Sequence, residues 1–168
     1  MPRCPGKLLV QGQVHDWIRL SKNEEFYAGP SGCNGTCANA RTGELLTEAL
    51  RQADQAIDFT QFDNDGPDGM PNSGDDDGFV DFVAFVHPSL GGECAMPDNS
   101  SIWSHRWRIS NWAGNNSFET NDSSVLGPRI RVDDYVIMPA LACDKTTMIP
   151  IGVFFPRVRP RIWPSRSL

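Results

Sequence analysis

No stretch of this sequence approaches the roughly 20 apolar residues that a helix needs to cross a bilayer, so no such span is expected. P-loop, Rossmann-glycine and G-x-S-x-G patterns are all missing, which removes the usual signatures of nucleotide enzymes and serine hydrolases. Histidine is scarce. His15, His87 and His105 are the only three, and no two are spaced as a metal-binding pair, so each reads first as a hydrogen-bonded structural residue. Paired carboxylates for glycoside chemistry cannot be singled out either. Basic charge is thin and unevenly placed: four arginines (157, 159, 161, 166) sit in the last 13 residues with no acid beside them. Residues 1–155 then carry 11 basic and 21 acidic groups, a balance of −10. Such a surface repels phosphate backbones and excludes nucleic acid as a partner. A secretory leader is also absent, since Met1-Pro2-Arg3-Cys4 runs straight into a strand-like stretch through Val10. A mature secreted domain and a clipped gene would both begin this way.

What is present suits one folded domain. The chain has 168 residues, 39% of them hydrophobic, with five Trp and nine Phe, enough for a core. Fifteen Gly and thirteen Pro make it rich in loops. Residues 7–20 alternate well enough for one or two strands. From Thr42 to Ile57 the apolar residues Leu45, Leu46, Ala49, Leu50, Ala53 and Ile57 share one helical face, the clearest helix of the sequence. The run 79–86 (FVDFVAFV) reads as a strand buried on both faces. Residues 101–107 (SIWSHRW) read as a second strand at an edge, and 130–138 as a third, stopped by Pro139. Strands and helix are mixed without a repeat or a linker, which predicts a single α+β domain with a twisted mixed sheet and long Gly/Asp-rich loops. Among five cysteines, Cys33 pairs most economically with Cys37 and Cys94 with Cys143, leaving Cys4 over. That pairing favours export; five free thiols in a cytosolic protein is the competing reading. Zinc held by these cysteines is disfavoured, because no second short-spaced pair completes four ligands. Asn34, Asn99, Asn115 and Asn121 stand in glycosylation-type triplets, which a loop-rich chain produces freely.

The loop FDNDGPDGMPNSGDDDGFVD holds seven aspartates between positions 63 and 81. Packed without a cation they would repel one another strongly. Calcium takes six to eight oxygens from a flexible loop with glycines, as in D-x-D-x-D-G-x-x-D. Asp63 and Asp65 fit the first two positions, and Asp77, Gly78 and Asp81 the later ones if 66–76 loops out. Asp68 and Asp75 lie within that insertion, with Asn72 and Asp76, and are candidates for the same ion or a second one. Magnesium suits the loop less, because it demands tight octahedral geometry. The expected role is structural, fixing the loop that leads into strand 79–86. A solvated acidic loop is the alternative.

The chain closes on IGVFFPRVRPRIWPSRSL, an apolar run broken by Pro156 and Pro160, which no helix survives. The blocks IDFTQFDNDG, DGFVDFVAFVHPSLGGEC, SIWSHRW, DDYVIMPALAC and IGVF resemble, in order, the immune inhibitor A family of secreted bacterial zinc metallopeptidases. The likeness covers most of residues 44–155 and implies a zincin-like catalytic domain acting on protein or peptide substrates. In that family an H-E-x-x-H helix follows IGVF almost at once, two histidines binding zinc and the glutamate activating its water. Here Pro156 and Arg157 stand instead, so no catalytic residue and no zinc ligand can be carried over. Permitted codons for 156–168, read one nucleotide later, spell H-E-F-G-H-A-F-G-L-P-D-L; only the middle base of each displaced codon is a free choice. Residues 1–155 are thus expected to be the N-terminal part of a metallopeptidase catalytic domain and 156–168 an out-of-frame tail. The chain itself is then an inactive fragment with a structural calcium loop. The competing class is a non-catalytic calcium-dependent binding module; a third reading is a cytosolic structural protein.

Overall fold

The computed structural model describes residues 12–94, 101–112, 114 and 116–149. Helices α1 (Glu24–Ala28) and α2 (Thr42–Ala53) precede strand β1 (Val83–Leu90), β2 (His105–Arg108), β3 (Phe118–Glu119), β4 (Arg131–Val132) and β5 (Asp134–Leu141). Residues of the expected strand before position 12, the apolar run 151–155, the tail 156–168, Cys4, Asn99 and Asn115 lie outside the described residues.

Helix α1 starts where the Asn23 side chain accepts the amide of Phe26, an N-cap that satisfies one orphan donor. It ends at Gly29, whose φ of 83° is reached without strain only by glycine. Helix α2 buries Leu45, Leu46, Ala49 and Leu50, the stripe read from the sequence, against the sheet. In that sheet β5 is central, parallel to β1 and antiparallel to β2. Tyr135 and Ile137 of β5 join α2, Tyr27, Phe59, Ile102 and Ile109 in the main core. Val136 and Met138, on the other face, meet Phe82 and Ile149. The β3–β4 hairpin forms a second, two-stranded sheet whose Val132 and Phe118 join the same core, and it is tied to Phe79 through a bridge at Arg131. Cys33 is bonded to Cys37, and Cys94 to Cys143 across 49 residues. The second closes a loop large enough to contribute about 4 kcal/mol by chain entropy.

Several expectations need correction. Residues 12–20 form no strand; their side chains are mostly exposed, so the alternation has no core to face. The strand expected at 79–86 runs from Val83 to Leu90 and is not buried on both faces. Val83 and Phe85 pack on the core while Ala84 and Val86 are exposed. Residues 101–104 approach β2 without pairing as strand. The segment 130–138 divides at Asp133, and β5 continues through Pro139 to Leu141. Proline is tolerated there because β2 pairs only as far as Ile137 and the pairing of β5 with Met148 and Ile149 resumes at Ala140 and Leu141, so Pro139 falls between two neighbours. Helix α2 stops at Ala53 and a turn carries the chain to Ile57, whose amide bonds the Ala53 carbonyl.

One-sided burial of β1 has a measurable consequence. Leu46→Ala, at a site with 0% exposure, should cost about 3 kcal/mol, whereas Val86→Ala should cost under about 1 kcal/mol. Urea unfolding checks both; equal losses would mean that the outer face is covered after all.

Candidate metal centre

The acidic loop begins where a 3-10 turn, Phe59–Phe62, ends on Asp63. The Asp58 carboxylate accepts the amide and hydroxyl of Thr60 and starts that turn. Backbone bonds then fold the loop on itself: Asn72 N–H to the Asp63 carbonyl at 2.7 Å and Asp81 N–H to the Phe62 carbonyl at 2.7 Å. The insertion 66–76 does loop out, closed by Asp76. Its two oxygens accept the amides of Gly66 and Ser73 at 2.8 and 2.7 Å. Gly78, at φ 80°, makes the left-handed turn that brings 77–81 back alongside 63–65.

Asp63 is 1% exposed. Its Oδ2 accepts the Gly78 amide at 3.2 Å, while its Oδ1 is buried and has no hydrogen-bond partner. An ionised carboxylate deprived of both water and donors is strongly disfavoured. Asp65 and Asp77 each bring a carboxylate oxygen into the same group, all three within 4.8 Å of one another. Desolvation first, then the charges of Asp76, Asp77, Asp65 and Asp81, pushes Asp63 up to about 6. Asp81 also rises to about 6, through desolvation and the charges of Asp65, Asp76 and Asp77, although the amide of Asn64 donates to it. Asp65 is raised for the same reasons, desolvation leading. Among the described residues these charges meet no cation of the protein, and their oxygens, flexible backbone and glycines fit the needs of calcium. Asp68 and Asp75 lie outside the group. Asp68 accepts the Met70 amide, and Asp75 accepts the Asp68 amide and the Ser73 hydroxyl, so both act as turn-closing residues.

The remaining polar cluster does not fit zinc. His105 is hydrogen-bonded at both ring nitrogens, Nδ1 to the Trp103 carbonyl at 2.7 Å and Nε2 to the Tyr135 hydroxyl at 2.8 Å. The Trp112 indole donates to the same hydroxyl; the Trp103 carbonyl can only accept, so Nδ1 carries a proton, and in the neutral ring Nε2 accepts from the Tyr135 hydroxyl. Burial lowers its pKa accordingly. His87 Nδ1 lies 3.2 Å from Glu24 and 3.0 Å from the Ser89 hydroxyl, and its Nε2 is buried without a hydrogen-bond partner. Serine and carboxylate share one nitrogen, which is not the relay of a Ser-His-acid triad. Burial alone would raise the pKa of Glu24, but hydrogen bonds from His87, Ser89 and the Ile102 amide hold it below the usual range. Among the described residues the only group of three metal-binding side chains is the aspartate one. Glu24 is remote in sequence from His87, and Glu93, bonded to Ser104, follows no motif, so the sequence gives no sign of this network. The SIWSHRW segment ends in edge strand β2, where Arg106 and Arg108 both pair with Asp134 at 3.2 Å. Trp107 and Asn111 join them around an open cavity of about 420 Å³.

Comparison with known proteins gives a consistent answer. Residues 3–147 match the family described as immune inhibitor A peptidase M6, catalytic domain. The chain is 31% identical to the pre-pro-metalloprotease PrtV of Vibrio cholerae over 137 residues, 77% of this chain and 15% of that protein. It is 30% identical to Immune inhibitor A of Bacillus thuringiensis subsp. alesti over 112 residues, 62% of this chain and 16% of the relative. It therefore spans only a small part of the length of these relatives.

Raised carboxylates make stability depend on pH in a defined direction. The Asp63 contribution is fully present below about 3.8 and is lost as pH rises through about 6, because only the folded state holds that proton. The lowered His105 works the other way, so the comparison is with Asp63→Asn. In EDTA the wild-type chain should gain stability relative to that variant between pH 7 and 5, read from urea midpoints. A pH-independent difference would mean that Asp63 is not strained.

Proposed function

This chain belongs to the immune inhibitor A peptidase family, and we propose that it is part of the catalytic domain of a secreted zinc endopeptidase. In this reading one structural calcium ion shapes the domain, and the zinc-binding helix is encoded in a displaced frame. The observation that carries the calcium assignment is the buried Asp63 oxygen with no partner, facing Asp65 and Asp77. Asp81 would complete the acidic cage. Asp68 and Asp75 would remain outside it.

Several features support the wider reading. A mixed sheet backed by α2, with the antiparallel strand β2 at its edge, is compatible with a zincin-like domain. Among the described residues β2 has a neighbour on one side only, and its other edge would offer backbone groups to which an extended peptide substrate can add. Two disulfides suit an oxidising, extracellular setting. Zinc would supply Lewis-acid activation of water, but His15, His87 and His105 cannot hold it in the way described for the family, so no step of hydrolysis is assigned to residues of this chain. The division at Phe155 follows from Pro156 and Pro160, four apart like the displaced histidines. The 168-residue polypeptide by itself should not cleave peptides.

A calcium-dependent binding module remains the second reading. It is favoured by the main core, in which Tyr27, Leu46, Ile102, Tyr135 and Ile137 are each at most 2% exposed. Both readings need calcium, and only the peptidase reading needs the hidden frame.

One measurement tests the calcium that both readings share, and a second separates them. Calcium at about 100 times its Kd should raise the melting temperature by about 8 °C, and Asp63→Asn should abolish most of the shift. The gene across codons 150–168 should contain the displaced His-Glu-x-x-His. Restoring that frame should yield zinc-dependent cleavage of a protein substrate; intact codons in the original frame alone would end the peptidase-fragment account.

A further inference from the structure

Asn72 stands at the junction of two loops. Its backbone amide donates to the Asp63 carbonyl at 2.7 Å, directly beside the cation cage. Its side chain faces the other way. The carboxamide Nδ2 donates to the Ser123 carbonyl at 3.1 Å, and its oxygen accepts the Val125 amide at 2.9 Å. The residue holds φ at 52°, a left-handed conformation that asparagine tolerates better than most residues. One side chain thus satisfies a donor and an acceptor of segment 121–127.

That segment is a strap with two separate moorings. At its start the Asp122 carboxylate accepts the Phe59 amide at 2.8 Å, and the Asn121 amide donates to Asp54 at 3.0 Å. These contacts reach α2 and the turn after it, and involve no group of the cation cage. At its far end the moorings described are Asn72 and the approach of Ser124 to Gly78, where an added Cβ would lie 3.1 Å from the Ser124 hydroxyl. Both Asn72 and Gly78 belong to the acidic loop. Val125, Leu126 and Met70 are all largely exposed, at 62%, 55% and 63%.

We infer that Asn72 makes the order of strap 121–127 depend on cation occupancy at Asp63, Asp65 and Asp77. The inference rests on the calcium reading above. With a cation bound, the aspartates are held together, the Asp63 carbonyl keeps Asn72 in place, and the carboxamide clamps Ser123 and Val125. Without it, repulsion among the carboxylates opens the loop, and Asn72 moves away with it. The strap then keeps its Asp122 mooring and loses the other. Occupancy thereby decides whether the exposed Val125 and Leu126 are held in a fixed position.

Hydrogen–deuterium exchange on the full 168-residue chain, in calcium and in EDTA, reads both loops separately. In the wild type, calcium should slow exchange in 63–81 and also in 121–127, the latter about tenfold, as two hydrogen bonds would give. Asn72→Gly keeps the left-handed backbone and removes the carboxamide. It should preserve slowing at 63–81 and abolish it at 121–127. Val125→Pro removes the strap's donor without touching the acidic loop and should act alike, which guards against a local collapse around position 72. Calcium-dependent slowing of the strap that survives both substitutions would overturn the coupling. So would a wild-type strap indifferent to calcium while 63–81 responds. No response at 63–81 in any protein would overturn the calcium reading itself, and the coupling with it.

Discussion

A carboxylate stripped of water and facing other carboxylates cannot stay charged without a counterion or a proton, and Asp63 is in that position. Its side chain is buried, one oxygen is spent on Gly78 and the other has no partner. What surrounds it is not incidental to the sheet. The Asp63 carbonyl holds Asn72, and the Phe62 carbonyl beside it holds the Asp81 amide. Two residues later β1 begins, and from it Val83 and Phe85 pack on the core that α2 and β5 share. The entry of β1 into the sheet is therefore set by how the acidic loop closes. Loop electrostatics and core packing are two ends of one short piece of chain.

The helical stripe of α2 was plain in the sequence because four buried residues on one face leave a strong 3.6-residue period. The clustering of Asp63, Asp65 and Asp77 was foreshadowed for another reason: aspartates at alternate positions with glycine can curl so that their oxygens converge. Strand boundaries were less clear. A run such as FVDFVAFV looks uniformly apolar, yet Ala84 and Val86 are exposed, since composition alone does not say whether a second layer covers a sheet. Pro139 was misleading in the opposite sense. Its missing amide matters only where a neighbour would bond it, and β2 ends two residues before. The Glu24–His87–Ser89 and His105–Tyr135–Trp112 networks could not be anticipated, because their members are brought together by the sheet order β1–β5–β2 and not by spacing along the chain.

Those two networks tie His87 and His105 into the fold. Each imidazole is held by a group from another element, Glu24 from α1 for His87 and Tyr135 from β5 for His105. Such bonds fix ring orientation and, for His105, the tautomer, and burial then keeps that ring neutral. A ring fixed in this way joins the elements that meet around it: α1 to β1, and β2 to β5. It is poorly placed to shuttle protons, for the charged form would leave the Tyr135 hydroxyl hydrogen without an acceptor. Structural histidines of this kind are a property of the scaffold alone.

Scaffold and chemistry thus occupy different stretches of chain. Helix α2 and the inner face of β5 bury each other, and Val136 and Met138 find Phe82 and Ile149 on the other side, all before position 150. On the proposed reading, the zinc ligands and the water-activating glutamate come after Phe155, on an element whose codons are displaced by one nucleotide. A slip at that point removes every reacting group and alters no residue of the packed core. It also leaves the calcium cage intact, because Asp63, Asp65, Asp77 and Asp81 lie upstream. Nothing in the physics of the sheet requires the lost helix to be chemically competent. Strand β2 is held by β5 and by the Asp134 pairs with Arg106 and Arg108, and on the same reading an extended peptide would pair with it there. On that reading the chain keeps the form of a peptidase domain, and its demand for a cation, while the residues that would cut peptides lie out of frame.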